Sequence, residues 1–308
     1  MGKYIVRRLF HSVFVVFGIT LIIFLITNVI GDPVVLLLPP DATRADYELL
    51  RRELGLDRPL HTQYFIFFGN AVRGNFGKSF LFNKPCLSLV MEYLPATLEL
   101  TVASMLIAVI VAIPLGIICA VKPYSILDRF GRVFGLLGQA APGFWLGIMA
   151  ILLFGVKLKW LPISGRGSFA QLVMPALTLG FFSMAAIMRL TRSSMLDVLD
   201  KDYIRTARIK GLPEKWVVLK HAFKNALIPV VTIVSLMLGR MLGGAVVTEI
   251  VFAWPGVGRL AVQAIYLRDF PLVQAVVFFN CIFFIGINLL VDILYIWIDP
   301  RITYEKKA

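Results

Sequence analysis

The short run Gly77-Lys78-Ser79 is the part of the sequence that comes closest to a nucleotide-binding motif. A phosphate-binding loop needs another glycine five residues before the second one, and that position is Val72. The three cysteines and three histidines are scattered and give neither a metal-ligand spacing nor a disulfide framework. We also find no nucleophile elbow and no zinc-protease motif. The sequence therefore predicts a chain that catalyses no reaction itself and holds no cofactor or metal.

The composition is that of a membrane protein. Hydrophobic residues make up 59% of the 308 residues, whereas soluble domains have about 45–50%, and they fall in long uninterrupted runs. The formal net charge of +13 is typical of cytoplasmic loops and of surfaces that meet anionic lipid. Nucleic-acid binding would need a recognisable basic module, and we find none. We therefore expect an all-α polytopic membrane protein.

Six runs are long enough to cross a bilayer, which takes about 20 mainly apolar residues. They comprise residues 1–30, 97–121, 133–156, 170–190, 226–248 and 272–298. The first run lacks a signal-peptide cleavage site, so we interpret it as a retained first span. Prolines 114, 142, 175 and 229 lie in or beside these runs. They predict kinked helices, either around a cavity or at ordinary packing contacts.

Lysine and arginine indicate the orientation of the spans. Nine of them fall in residues 189–225, and short cytoplasmic loops are enriched in these residues. The long segment 31–94 also contains basic residues, but long segments cross the membrane largely regardless of charge. We therefore predict that both termini, including the tail 299–308, lie in the cytoplasm.

The long outer segment, residues 31–94, is predicted to be a periplasmic helical cap. Thr43 and Asp46 form a capping-box pattern ahead of a short helix. Pro59 opens a second helix, and a third is expected to start at Pro85. The cap either packs on the spans or offers a docking surface to an exported partner, and the sequence leaves both open.

The basic segment between the fourth and fifth spans, residues 191–225, shows the pattern of a short and well-terminated helix. Asp202 can cap a helix over Tyr203–Lys210. Gly211 suits the left-handed position just past its end. Pro213 then opens another helix that leads into the fifth span.

The short helix could serve as a docking element. Ala207 and Gly211 are four residues apart, so we expect them to share a face that another subunit can approach closely. Arg205, Arg208 and Lys210 are expected to surround that face. The pattern alone leaves two occupants open, a partner protein and anionic lipid head groups.

Arg240 lies deep in the fifth apolar run, with Gly243 close by in the sequence. An ionisable residue inside a membrane is a functional candidate. Our hypothesis is that Arg240 and Gly243 line a translocation path that favours a substrate bearing a carboxylate. The alternatives are a structural pair with Glu99 or with an acid of a partner chain, and an arginine that extends to the outer interface.

Residues 202–229 resemble the cytoplasmic signature loop of bacterial ABC-transporter permeases. That signature has small residues and a glycine, followed at a set distance by a hydrophobic residue and a proline, and here Ala207, Gly211, Ile228 and Pro229 occupy those places. The resemblance implies that the short helix is the coupling helix that sits in a groove of the ATPase. Its candidate residues are Asp202, Tyr203, Arg205, Thr206, Ala207, Arg208, Lys210 and Gly211.

Most of the chain is similar to one branch of that family, the B-type subunit of the dipeptide/oligopeptide/nickel permeases. The matching motifs are Gly31-Asp32-Pro33, Leu54 to Leu60, Pro95 to Leu100, Arg192 to Leu196, Phe252 to Gly258 and Asp299-Pro300-Arg301. Two positions depart from the pattern, Ile30 and Asn75. The resemblance implies a type I importer permease with six spans and a permease core over residues 95–298.

The resemblance also implies a set of partners in the bacterial inner membrane. This chain would form a heterodimer with a second, homologous permease. Two ATPase domains would bind from the cytoplasm and would hold the ATP and magnesium. A periplasmic solute-binding protein would deliver the substrate, and Glu249, Trp254, Arg268 and Asp269 are candidates to contact it.

The substrate stays open at this point. Short peptides are the leading expectation, and nickel complexes, glutathione, opines and oligosaccharides are carried by similar permeases. An ion-coupled secondary transporter is a more distant alternative, because the sequence has neither a second copy of the signature loop nor a pair of acids in mid-span. A membrane enzyme would need a convergent polar constellation, and we find none.

Overall fold

In a computed structural model, which describes residues 2–30, 34–35, 38–39, 41–53 and 55–298, the chain folds almost entirely into helices. The side chains of residues 2–7, 9, 29, 30, 242 and 290–298 are outside what is described. The predicted motifs Gly31-Asp32-Pro33 and Asp299-Pro300-Arg301, the first residue of the Leu54 motif and the tail 299–308 also lie outside the described residues.

Twelve helices are described, and they follow one another along the chain. They are α1 (Gly2–Ile30), α2 (Arg44–Glu53), α3 (Leu60–Val72), α4 (Cys86–Val121), α5 (Ile126–Ala140), α6 (Gly143–Ala150), α7 (Phe169–Leu199), α8 (Asp202–Ile209), α9 (Glu214–Trp216), α10 (Lys224–Val251), α11 (Val257–Tyr266) and α12 (Phe270–Ile298). A π-helical turn, Ile151–Lys157, extends α6, and another, Val217–Phe223, joins α9 to α10.

Five helical stretches among the described residues are long and apolar enough to cross a membrane. They are Phe10–Asn28, Cys86–Val121, Phe169–Leu199, Glu214–Met241 and Phe270–Leu289. A sixth is obtained if α5 and α6 with its π-helical turn are counted as one bent span. The predicted all-α polytopic membrane fold is confirmed, with the third of the six spans in this bent form.

The third span is not the continuous helix predicted over 133–156. It is bent by 108° between Ala140 and Gly143. Pro142 stands just before the first residue of α6, and a proline pushes the preceding residue towards extended backbone. Ala141 accordingly has φ −80° and ψ 125°, so α5 ends there.

The second and fourth spans are longer than predicted. Helix α4 begins at Cys86, so the third helix expected at Pro85 is the first part of the second span. Helix α7 runs to Leu199, so the predicted coupling loop 191–225 starts at Asp200 instead. Proline at 95 and 175 does not end these helices, because in a membrane helix neighbouring groups can satisfy the freed backbone carbonyl.

One compact unit consists of the described residues within the ranges 1–95 and 256–289. The Tyr64 hydroxyl on α3 lies 3.1 Å from the Thr20 hydroxyl and donates to the Phe17 carbonyl of α1 at 3.1 Å. Gln274 of α12 donates to the Thr27 hydroxyl at 3.0 Å. Helix α1 is thus held to both α3 and α12 by side-chain hydrogen bonds as well as by apolar packing.

The helices predicted within the outer segment are present in this unit. Asp46 accepts a hydrogen bond from the Thr43 backbone at 2.9 Å, and the Asp46 amide donates to the Thr43 hydroxyl at 3.3 Å, which confirms the capping box of α2. The hydrogen bond from the Thr43 hydroxyl to the carboxylate holds the pKa of Asp46 below its ordinary value. Pro59 directly precedes α3, as predicted.

The other compact unit consists, among the described residues, of residues 96–255 and 290–298. Helix α7 packs against α5, α6 and α10. Glycines on α5 permit the close approach of α5 to α7, since a Cβ at Gly138 would lie only 2.3 Å from the Cβ of Ala185. This unit contains the predicted coupling segment and Arg240.

Candidate functional site: the coupling segment and an intramembrane arginine

The predicted coupling helix is present as α8, with its start and end defined by local backbone geometry. Lys201, not Asp202, occupies the position before the first helical residue, and it makes no side-chain cap. Asp202 is the first helical residue, where a carboxylate still interacts favourably with the helix dipole. Gly211 has φ +72°, which confirms the left-handed position predicted for it.

Ala207 faces into the protein, and this corrects the prediction that it forms an open docking face with Gly211. Ile204 and Ala207 are buried against Met195 of α7 and against Val217 and Val218 of the π-helical turn. Gly211 itself is exposed, and no atom lies within 4 Å of the position its Cβ would occupy. The small side chain at 207 therefore lets α8 approach its own bundle closely.

The outward face of α8 contains an apolar residue that the sequence analysis missed. At about 100° per residue, Asp202, Thr206 and Ile209 point away from the buried pair Ile204 and Ala207. Ile209 is 85% exposed. The sequence contains no signal for it, because the position of Ile209 follows from the burial of Ala207, which only the structure shows.

The two arginines of the helix form ion pairs with acids of the same segment. They do not surround an open face, contrary to the prediction. Arg205 lies 3.2 Å from the Asp200 carboxylate and 3.8 Å from that of Asp202. Arg208 donates to both carboxylate oxygens of Glu214, at 2.8 and 3.2 Å, and this raises the pKa of Arg208. The second pair fastens the end of α8 to the start of α9 across the turn at Gly211.

Arg240 lies at a cavity of about 190 Å³ whose wall also includes Thr178, Phe182 and Ser183. The proposed pair with Glu99 is wrong, because Arg166 holds that carboxylate with two nitrogens at 2.5 and 2.8 Å. Within the described part of the chain, Arg240 has no carboxylate partner. Gly243 is exposed on the same helix but does not line this cavity.

Two of the four residues expected to contact a binding protein, Glu249 and Trp254, are buried in the unit that contains the coupling segment. Glu249 accepts a hydrogen bond from the Thr97 hydroxyl at 2.6 Å. The Trp254 indole donates to the Ala96 carbonyl at 2.8 Å. Both therefore stabilise the fold and are not exposed contacts.

In the other unit, Asp269 is buried and Arg268 is exposed. Asp269 caps α12 by accepting from the Leu272 amide at 3.3 Å, and it also accepts from the Ser79 hydroxyl at 2.5 Å and the Leu81 amide at 3.1 Å. Of the four candidates only Arg268 stays available to a partner.

Two family models match the chain almost from end to end. The model described as "Binding-protein-dependent transport system inner membrane component" matches residues 112–304, and its N-terminal counterpart matches residues 1–101. The chain belongs to this family. It is a multi-pass inner-membrane permease subunit of an ATP-driven ABC importer, and the resemblance inferred from its motifs is confirmed. Ion-coupled transport does not describe this family.

Relatives and a solved structure agree with this permease assignment. The chain is 42% identical over 306 residues to the "Glutathione transport system permease protein GsiC" of Escherichia coli strain K12, which covers 99% of this chain and all of the relative. It is equally similar to GsiC of Shigella flexneri. A structure of the MetNI methionine ABC transporter in an inward-facing conformation matches 68% of this chain and 96% of its own, with a TM-score of 0.56 and 19% identity. That likeness shows the type I importer fold.

A buried acid in this permease holds the bent third span to α7. Asp128 is completely buried and accepts hydrogen bonds from two nitrogens of Arg192, at 2.5 and 3.0 Å, and from the Tyr124 amide at 3.0 Å. Arg132 lies 3.7 Å away. This clamp was not predicted from the sequence, although Ser125, which caps α5 and accepts a hydrogen bond from the Asp128 amide, gives a recognisable start signal.

Proposed function

We propose that this permease forms half of a translocation pathway for short peptides. The partners would be a second, homologous permease, two ATPase domains that bind ATP and magnesium, and a periplasmic solute-binding protein. In this proposal both termini are cytoplasmic, residues 31–94 form a periplasmic cap and the tail 299–308 is cytoplasmic. The chain itself would catalyse no reaction. Support comes from the family and from the 42% identity to permeases named for glutathione, which is a tripeptide.

The observation that favours a peptide substrate is the environment of Arg240. Arg240 is exposed, and the cavity that it lines is also lined by Thr178, Ser183 and Phe182. A charged group inside a membrane is costly unless it meets a partner or water. A substrate carboxylate would supply that partner, and the hydroxyls could bind peptide amide groups. Short peptides have both features, whereas neutral oligosaccharides have no carboxylate.

The test is uptake by the complete transporter in proteoliposomes, with binding protein outside and ATP supplied to the ATPases. Arg240→Gln removes the charge, and Arg240→Lys keeps it. A hydrogen bond to a charged group is worth about 1.5–3 kcal/mol, so we expect Arg240→Gln to lower the uptake efficiency for glutathione about 10- to 100-fold. The lysine variant should retain part of the uptake.

The comparison substrate is the same peptide with its carboxylates converted to amides. If Arg240 recognises a carboxylate, this substrate should lose little in the glutamine variant. Arg189→Gln is the control, because that arginine lies on neighbouring α7 and donates to Gln139 away from the cavity. Equal losses for both substrates, or full uptake by Arg240→Gln, would contradict the proposal. Competition by nickel complexes, opines or oligosaccharides would identify the other substrate classes.

Partner docking is the second part of the proposal, and it concerns the outward face of α8. We propose that Thr206 and Ile209 on this face, with Tyr203 and Lys210 at its edges, contact the ATPase, while Ile204 and Ala207 hold the helix to the bundle. Tyr203 and Ile209 are the two large hydrophobic side chains of this helix that are exposed. Such side chains gain free energy when a partner covers them. The two arginine pairs keep the helix in place for this contact.

A further inference from the structure

An apolar groove lies beside the start of the coupling connection, outside the contacts described so far. Its floor is formed by Ile118 and Val121, near the end of α4, and by Leu219 of the π-helical turn. Its volume is about 430 Å³, within the range of about 300–1,000 Å³ that is usual for small-molecule sites. Ile118 and Leu219 are 42% and 47% exposed, so the groove is open to its surroundings.

The rim of this groove is positively charged. Lys122 and Lys215 line it together with Glu214. Both oxygens of the Glu214 carboxylate are already engaged by Arg208, at 2.8 and 3.2 Å. Within the described residues neither lysine has an ion-pair partner, and both are exposed. The groove therefore combines two available ammonium groups with an apolar floor.

We propose that this groove binds one anionic phospholipid from the leaflet that borders this end of the bundle. The phosphate would lie between Lys122 and Lys215, and an acyl chain would cover Ile118 and Leu219. Basic pockets between membrane helices are known as head-group sites in general. This site is separate from the outward face of α8 and from the Arg240 cavity.

Neighbouring residues support an occupant at the membrane interface. Trp216, adjacent to the rim, is 57% exposed, and the Lys220 ammonium lies 5.6 Å from the centre of its ring. Tryptophan is enriched at the level of the lipid head groups. Glu214 both lines the groove and anchors Arg208 of α8. A lipid bound here therefore touches the residue that fastens the coupling helix to the fifth span.

The experiment counts lipids on the complete transporter, purified in a mild detergent. Native mass spectrometry measures retention of phosphatidylglycerol and of phosphatidylcholine with the same acyl chains. Each lysine near an anionic head group contributes about fivefold in affinity. We therefore expect Lys122→Gln/Lys215→Gln to weaken phosphatidylglycerol binding about 25-fold. The control Arg129→Gln/Lys224→Gln removes the same charge from exposed residues that do not line the groove and should retain the lipid.

Three results would overturn the proposal. The first is equal retention of the two lipids by the unchanged protein. The second is unchanged phosphatidylglycerol binding in the groove variant, and the third is an equal loss in the control. Since these side chains are on the surface, both double variants should assemble normally. Ile118→Trp should also displace the lipid, because it fills the floor of the groove without altering any charge.

A crosslinking measurement distinguishes lipid from a protein occupant. The three native cysteines of this chain are buried, so a benzophenone can be attached selectively to Leu219→Cys in a transporter assembled in membranes with cysteine-free partner subunits. We expect the crosslink to form with phospholipid. A crosslink mainly to the second permease or to an ATPase would show that a protein covers the groove and would refute the lipid site.

Discussion

Ile209→Ser is the change that most directly tests whether α8 is the coupling helix and which of its faces meets the ATPase. Ile209 is 85% exposed on the face of α8 that points away from the bundle, whereas Ala207 is buried. If the ATPase covers the outward face, the serine variant loses an apolar contact and leaves the fold intact. A docking face at Ala207 would give the opposite pattern, with Ile209 tolerant of substitution.

The size of the effect follows from the exposed surface. Complete burial of an isoleucine side chain is worth about 1.5–3 kcal/mol. Most of that surface is available here, since only 15% is covered within the chain. Association also costs side-chain entropy, so the lower value applies. With about 1.4 kcal/mol for each tenfold change, Ile209→Ser should weaken ATPase binding about tenfold.

The assay titrates labelled ATPase onto the permease heterodimer in nanodiscs and follows binding by fluorescence. Ile265→Ser, an exposed isoleucine at the end of α11, is the matched control. Ala207→Leu should instead lower the protection of α8 amides from hydrogen exchange, because overpacking a buried site costs about 1–3 kcal/mol. Wild-type ATPase affinity in Ile209→Ser would refute the assignment of the outward face.

Three further changes test the packing of the second unit. Gly138→Ala should lower the thermal unfolding midpoint, because the added methyl group would lie 2.3 Å from the Cβ of Ala185 on α7. Overpacking of this kind costs about 1–3 kcal/mol. Gly143→Ala is the control and should leave the midpoint unchanged, because nothing lies within 4 Å of the added Cβ. Asp128→Ala should destabilise the protein by about 3–5 kcal/mol, because it leaves Arg192 without its acid. A double variant that also replaces Arg192 by alanine should be more stable than the single one, and equal stabilities would argue against the clamp. Gly211→Ala should increase hydrogen exchange in α8, because alanine at φ +72° costs about 1–2 kcal/mol; an unchanged exchange rate would show that this turn is not needed.

The spans and the turn after the coupling helix could be predicted because they depend on local sequence. A run of apolar residues and a glycine past a helix end act over a few positions, and Gly211 took the predicted conformation. The effect of a proline depends on its surroundings. Pro142 separates α5 from α6, whereas Pro175 continues within α7. The sequence does not show which freed carbonyl will find another partner.

The side of a short helix that becomes buried could not be read from eight residues. Ala207 faces inward because Met195 and Val217 pack against it. These two residues lie on other helical elements, each about ten residues or more away in the sequence. Glu249 looked like an exposed residue near the outer end of a span. It is buried because Thr97, far away in the sequence, supplies the hydrogen bond that makes burial acceptable.

The chain is helical without a break from Glu214 through the π-helical turn to Val251, with Pro229 inside the last helix. One end is fastened to α8 by the pair between Arg208 and Glu214, and Arg240 lies well along its length. At about 1.5 Å per residue, the axis from Glu214 to Arg240 is about 39 Å long. If this segment turns as one body about its fastened end, a rotation of about 5° displaces Arg240 by about 3 Å, which is the length of a hydrogen bond. A small angular change beside α8 would then be large enough to make or break one polar contact in the membrane.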